Sequence, residues 1–250
     1  MKARLMSNRF SAALVAFVAT AAVAASCALP APARADAQFG IQAIVLSGTH
    51  FEPKGNVSGT GTAGFIRFDE RWRSVQLHLE GFPSVGTATV DTPTGPVKAS
   101  IGLFAATGRF RMDRSGRLWA GIGTEVLAQQ TPQVGLGKVD ASRLAGTRYE
   151  IVSTLPIKAQ HFVEAQIAVM PHLSGIVYET RSVPIALAYS ISGAETASMV
   201  DMTAAYGIRH GTFDYLFGVH AINFAAKFVD GREADRNVGA GFSAEVRMHF

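Results

Sequence analysis

The chain has 250 residues, of which 23 are basic and 19 acidic, and 48% are apolar. The formal charge of +4 arises entirely in the first 35 residues, where Lys2, Arg4, Arg9 and Arg34 have no acidic counterpart, so residues 36–250 carry 19 charges of each sign. That balance gives no support to nucleic-acid binding, which needs a basic surface on the folded part, and a single cysteine, Cys27, excludes a disulfide framework.

Residues 1–35 read as an export signal. A basic start is followed by the apolar run Ala12–Ala25, which contains Leu14, Val15, Phe17, Val18 and Val23. A membrane-crossing helix needs about 20 apolar residues, so this run of about 14 is expected to be a signal core and not an anchor. Ala33-Arg34-Ala35 supplies the small-x-small cleavage pattern, with Ala35-Asp36-Ala37 as a second option. Cleavage after Ala35 is expected, leaving one domain over residues 36–250. Acylation of Cys27 is the weaker alternative, because Ala24-Ala25-Ser26 lacks a leucine three positions before the cysteine.

After residue 37 there is no helix-period segment and no second apolar stretch of membrane length. Runs rich in Val, Ile, Phe, Tyr and Thr alternate with clusters of Gly, Asp, Asn and Pro, which is the pattern of strands and turns. Phe39–His50 is the first such run, and its role is left open: strand, lumen plug, or a segment lying across the rim. Gly64–Phe68 and Ser74–Phe82 follow, separated by a turn at Asp69–Arg73. Asp91–Pro96 then turns into Val97–Met112, and Asp113-Arg114-Ser115-Gly116 turns into Arg117–Ala128. Gln129–Ala145 reads as the longest loop, of a length that is often functional. Thr147–Leu155, Phe162–Tyr178, Val183–Ser192, Met199–Ile208, Phe213–Val229 and Val238–Phe250 complete ten arms, with Phe39–His50 as an uncertain eleventh.

An internal repeat fits that count. The stretch from Val75 aligns with the stretch from Val163 at one offset, which also superposes Pro83 on Pro171. If one repeat is four strands, residues 36–250 hold about ten, an even number of the kind single-chain bacterial barrels use. Each proline sits in a long β-like arm and removes a ladder donor, so it needs a bulge or a rim position; the simpler expectation is that both mark points where strands leave the membrane. Trp72 and Trp119 each lie by a short turn, as a girdle at the lipid–water boundary would require.

The final nine residues carry the sharpest signal. Phe242, Ala244, Val246, Met248 and Phe250 alternate strictly with Ser243, Glu245, Arg247 and His249. This segment resembles the C-terminal strand of bacterial outer-membrane β-barrels, which the barrel-assembly machinery recognises. The resemblance implies an all-β, antiparallel transmembrane barrel of about ten strands (range 8–12), lodged in outer-membrane lipid. With Phe250 in the periplasm, counting back through the arms places Val229–Asn237, Asp69–Arg73 and Asp113–Arg117 outside, and Gln129–Ala145 in the periplasm.

Chemistry is less legible. Seven histidines (His50, His78, His161, His172, His210, His220 and His249) form no HxH or HExxH pattern, and there is no Gly-x-Ser-x-Gly elbow or P-loop. No catalytic, cofactor-binding or metal-binding residue is assigned. On the arm from Val75 the polar face carries Gln76, His78 and Glu80, and Glu125, Arg148, Glu150, Glu164 and Gln166 on nearby arms are expected to share the interior with them. Paired charges and amides are the ordinary filling of a small barrel. A His–Glu pair with a nearby serine would serve ester hydrolysis. The leading reading is therefore a small outer-membrane barrel with a structural, surface or narrow-pore role. An outer-membrane lipid-modifying hydrolase and a soluble periplasmic binding barrel are the alternatives.

Overall fold

The computed structural model describes residues 36–52, 55–81, 86–92, 95–133, 138–182, 188–228 and 235–250. They form eleven strands: β1 (Asp36–Glu52), β2 (Gly55–Trp72), β3 (Val75–Gly81), β4 (Gly86–Thr92), β5 (Gly95–Arg111), β6 (Leu118–Gln133), β7 (Lys138–Lys158), β8 (His161–Ser182), β9 (Ala188–His210), β10 (Phe213–Phe228) and β11 (Asp235–His249). All pairings are antiparallel. β3 and β4 share one place in the wall, since both pair with β2 on one side and β5 on the other. β1 pairs with β2 and with β11, so the sheet closes on itself as a ten-place barrel without an open edge.

Phe39–His50, the segment of open role, is thus a wall strand within β1, in register from Gln38↔His249 to Phe51↔Arg236. Two arms read separately, Val183–Ser192 and Met199–Ile208, overlap one strand, β9, with residues 183–187 outside the described set. The two differences offset each other, and the count of ten survives. Gln129–Ala145 is largely a hairpin, with Gln129↔Ser142 and Gln133↔Lys138 paired. Its sequence reads as a loop because it lacks apolar alternation, which a strand outside the membrane does not need.

These changes reverse part of the expected topology. The turns at Arg73–Ser74, 112–117, Ala159–Gln160 and Gly211–Thr212 all lie at the end that holds both Asp36 and Phe250. Gly211 has φ of 60°, the left-handed region a tight hairpin requires. The strand ends Glu52, Thr92, Gln133, Ser182 and Phe228 lie at the opposite end. The turns around 73 and 113 therefore share the end of Phe250, and Gln133 and Lys138 lie opposite it. Only the expectation for Val229–Asn237 keeps its side, since the flanking Phe228 and Asp235 also lie opposite Phe250. The cause is the single strand miscounted between β8 and β10.

Pro171, expected where a strand leaves the membrane, stands inside β8 (His161–Ser182) and does not end it. β8 continues to Ser182, and Pro171-His172 stand in a bulge where the register to β9 shifts between Met170 and Leu173. The bulge removes the need for the missing N–H. Pro83 lies outside the described residues, between β3 and β4. The internal repeat superposes these two interruptions, eight residues from Val75 and eight from Val163.

The wall has two storeys of opposite polarity. Near the termini, the outward side chains are apolar: Ile41 and Val45 on β1, Tyr149 to Ile157 on β7, Phe213 to Val219 on β10, and Phe242 to Phe250 on β11. That belt is about 9–11 residues tall, the length a tilted strand needs to cross a bilayer. The strands run well past it. β9, at 23 residues, measures about 75 Å, or about 55 Å along an axis tilted 45°. In the upper storey the outward face becomes mainly polar, with Val238 an exposed apolar exception. Ser58, Thr60, Thr62, Arg143 and Ser198 face out, while Ile44, Phe65, Leu103, Leu127, Leu144, Met170, Leu173, Met199 and Phe224 cluster inside. A strand in lipid puts apolar groups outward, and a strand in water puts them inward. Each long strand does both in turn.

Candidate functional site

Below the apolar cluster the lumen is filled by charge. Arg67 on β2 donates from Nε to Glu80 Oε2 at 2.8 Å, from Nη1 to Glu245 Oε2 at 3.1 Å and from Nη2 to Gln166 Oε1 at 2.9 Å. One guanidinium thereby ties β2 to β3, β11 and β8. Arg109 reaches Glu150 at 2.5 Å and Asp69 at 3.1 Å, and Arg148 reaches Glu150 at 3.0 Å and Glu125 at 2.6 Å. Arg247 holds Glu245 at 2.6 Å and Glu164 with two bonds of 2.8 and 2.6 Å. Arginine suits this layer because its planar fork bridges several carboxylates at once.

Every interior residue expected from the sequence is found here. Gln76, His78, Glu80, Glu125, Arg148, Glu150 and Gln166 are buried, and Glu164 faces them through Arg247. Arg67, Asp69, Arg109, Asp201, Asp214 and His220 belong to the same interior without a sequence signal that marks them, and Glu245 and Arg247 join it from the polar face of the terminal strand. The alternation that exposed Gln76, His78 and Glu80 also runs through Arg67–Asp69. There it was hidden because Asp69–Arg73 reads as a turn.

Two histidines define what chemistry the interior could support. His78 Nδ1 is 2.8 Å from Asp69 Oδ1, its Nε2 is 3.5 Å from Glu80 Oε2, and it is 1% exposed. Among the described residues no serine hydroxyl contacts it, so the Ser–His–Glu arrangement that ester hydrolysis would need is not assembled there. On the opposite wall Thr203 Oγ1 lies 3.2 Å from His220 Nδ1, and His220 Nε2 lies 3.2 Å from Asp201 Oδ1. That order of groups resembles nucleophile, base and orienting acid. However, the His220 ring is stacked on Phe65 of the apolar cluster and is 5% exposed.

The mouth at the termini is polar. Arg209 makes a bidentate pair with Asp214, both bonds 2.8 Å, and His249 Nε2 reaches the same carboxylate at 2.7 Å. Trp119, expected on an outer girdle, faces inward instead. It is 3% exposed, donates to Gly116 O at 3.0 Å, and carries the Arg71 guanidinium 4.9 Å above its ring centre. Trp72 occupies the alternate, outward side of β2. At the neighbouring turn Asp113 accepts from Ser115 Oγ and from the backbone of Arg117 and Leu118 at 2.9 and 2.8 Å. Those donors hold its carboxyl below the usual range.

A closed antiparallel barrel with an apolar belt outside and a charged interior has the architecture of the outer-membrane β-barrels. No family model matches the chain, and no curated protein does. Among solved structures, the outer-membrane protease OmpT of Escherichia coli is similar over 86% of this chain and 97% of that one, with a TM-score of 0.52 and 8% identity. The β domain of the Bordetella autotransporter BrkA covers 86% of this chain and 100% of its own, at a TM-score of 0.47 and 14% identity. Neisserial surface protein A covers 85% and 97%, at 0.35 and 10%. At 8% identity the likeness to OmpT is one of fold.

Proposed function

We propose that the chain is exported by residues 1–35, cleaved after Ala35, and inserted into the bacterial outer membrane as a closed, structural surface barrel. The described part of β1 starts at Asp36, so that cut removes none of the described wall. The apolar belt supports residence in lipid and argues against a soluble periplasmic barrel, which would have to keep Phe217, Phe242 and Phe250, each more than half exposed, in water.

The observation that carries the structural role is the interior stack. A salt-bridged layer crosses the lumen at membrane height, and an apolar cluster crosses it above. Ions crossing the first would displace paired charges, and crossing the second would shed their hydration. The upper storey is then a column with its own apolar core that carries the wall beyond the lipid surface. The alternative with a specific observation behind it is hydrolysis by Thr203, His220 and Asp201, and the enclosure of His220 weighs against it.

The test is conductance in planar bilayers by the folded protein without its first 35 residues. Wild type is expected to give no stable ohmic steps. Regular steps from wild type would reverse the reading in favour of a narrow pore.

A further inference from the structure

The terminus-end mouth encloses a cavity of about 280 Å³ whose lining is richer in cations than in anions. Five basic side chains border it (Arg71, Arg117, Lys158, Arg209 and Arg247) against three acidic ones, Asp36, Glu164 and Asp214. Two of the cations are already satisfied, Arg209 by Asp214 and Arg247 by Glu164 and Glu245. Among the described residues no carboxylate pairs with Arg71, Arg117 or Lys158. They come from three different parts of the wall: the end of β2, the turn before β6 and the end of β7.

The site is also built. Arg71 is fixed by its stack on Trp119, which is fixed in turn by its bond to Gly116 O. The Arg71 Nε is buried without a hydrogen-bond partner. A buried guanidinium nitrogen left open is costly unless an acceptor comes to it. The backbone of Arg117 is held on both sides, by Asp113 and by the 2.8 Å bond from Thr154 N to Arg117 O.

We infer that this mouth is a binding site for a phosphate-bearing group held by Arg71, Arg117 and Lys158. Three unpaired cations around one cavity match the charge and the several acceptor oxygens of a phosphate, and the stacked Arg71 fork supplies the directional bonds. The phosphate can arrive on a small soluble molecule or on a lipid headgroup of the adjacent leaflet.

Trp119 supplies the readout. The chain has two tryptophans, so Trp72→Phe leaves Trp119, under Arg71, as the reporter. The full barrel without its leader is folded in uncharged detergent and titrated with glycerol 3-phosphate, with glycerol as control, and separately with micelles doped with phosphatidylglycerol. A saturable fluorescence change with glycerol 3-phosphate assigns the site to soluble phosphates, and one confined to phosphatidylglycerol assigns it to the headgroup. In either case Arg71→Gln is expected to weaken binding at least tenfold, and so is the exposed pair Arg117→Gln with Lys158→Gln, which does not disturb the Trp119 stack. Arg114→Gln, outside the cavity, leaves it unchanged. Saturation with neither probe, or equal affinity in both variants, overturns the assignment.

Discussion

Arg67→Met is the most informative single change, because one side chain bridges four strands. It removes bonds of 2.8 Å to Glu80, 3.1 Å to Glu245 and 2.9 Å to Gln166, all at buried groups. Losing one partner of a buried ion pair costs about 3–5 kcal/mol. Here both abandoned carboxylates keep some positive charge: Glu245 retains Arg247 at 2.6 Å, and Glu80 retains Arg148 at 4.0 Å. The lower figure, about 3 kcal/mol, is therefore expected. With a urea dependence of about 2 kcal/mol per molar, that lowers the unfolding midpoint by about 1.5 M. Unboiled gel mobility of the barrel in lipid vesicles across a urea series measures it. Adding Glu80→Gln should recover part of the loss, because the stranded charge is removed with its partner. A shift below about 0.3 M for Arg67→Met would mean that the layer is hydrated, and the argument for a sealed lumen would fail with it.

Glycine substitutions probe the packing of the same layer. A Cβ at Gly121 would stand 2.7 Å from Thr107 Cγ2, 2.9 Å from Glu150 Cγ and 3.0 Å from Arg109 Cγ, whereas at Gly64 the nearest atom is 3.9 Å away. Gly121→Ala should cost about 1–3 kcal/mol in the same urea assay and Gly64→Ala close to nothing. For topology, a cysteine at Gly137 should be labelled on intact cells by an impermeant maleimide and one at Gly116 should not; the reverse pattern would invert the barrel. Deletion of Phe250 should sharply reduce folded barrel while leaving export intact, since it removes an exposed aromatic and both backbone bonds to Ala37, 3.3 and 3.0 Å long. Ser243→Ala, on the inward face, should be nearly silent on heat-modifiable gels, and equal folding of the two variants would make the terminal pattern coincidental.

The membrane storey was legible because its chemistry is periodic over the strand. Phe242 to Phe250, and Val75 to Glu80, announce both the fold and the face that points inward. The upper storey was not legible by the same rule. From Gln129 to Ala145 the sequence runs through Gln, Thr, Pro, Gly, Lys, Asp and Arg with few apolar residues, so alternation is absent and a paired hairpin looks like a loop. The break between Ser192 and Met199 has a similar origin: Gly193 and Ala194 interrupt the apolar pattern, although β9 continues through them. The candidate interior was half visible. Residues beside a clean apolar face were found, and those in charged clusters such as Asp69–Arg73 were mistaken for turn. Arg71 and Trp119 needed the fold itself, since only barrel closure brings the end of β2 beside the start of β6.

The last strand does two jobs that its sequence displays on opposite faces. Its outward side completes the apolar belt, which is the feature that marks it as a terminal barrel strand. Its inward side carries Glu245 and Arg247, which pair with Arg67 on β2 and Glu164 on β8. Until β11 docks, Glu164 lacks the counter-charge of Arg247 and Arg67 keeps Glu80 but not Glu245, at membrane height, where unpaired charge is most costly. Docking of β11 therefore closes the backbone seam to β1 and completes these pairs in one step. A barrel assembled through β10 alone gains neither, so closure is cooperative. The salt-bridged layer thus acts as a latch on the complete barrel, and the sequence of β11 specifies the belt and the latch together.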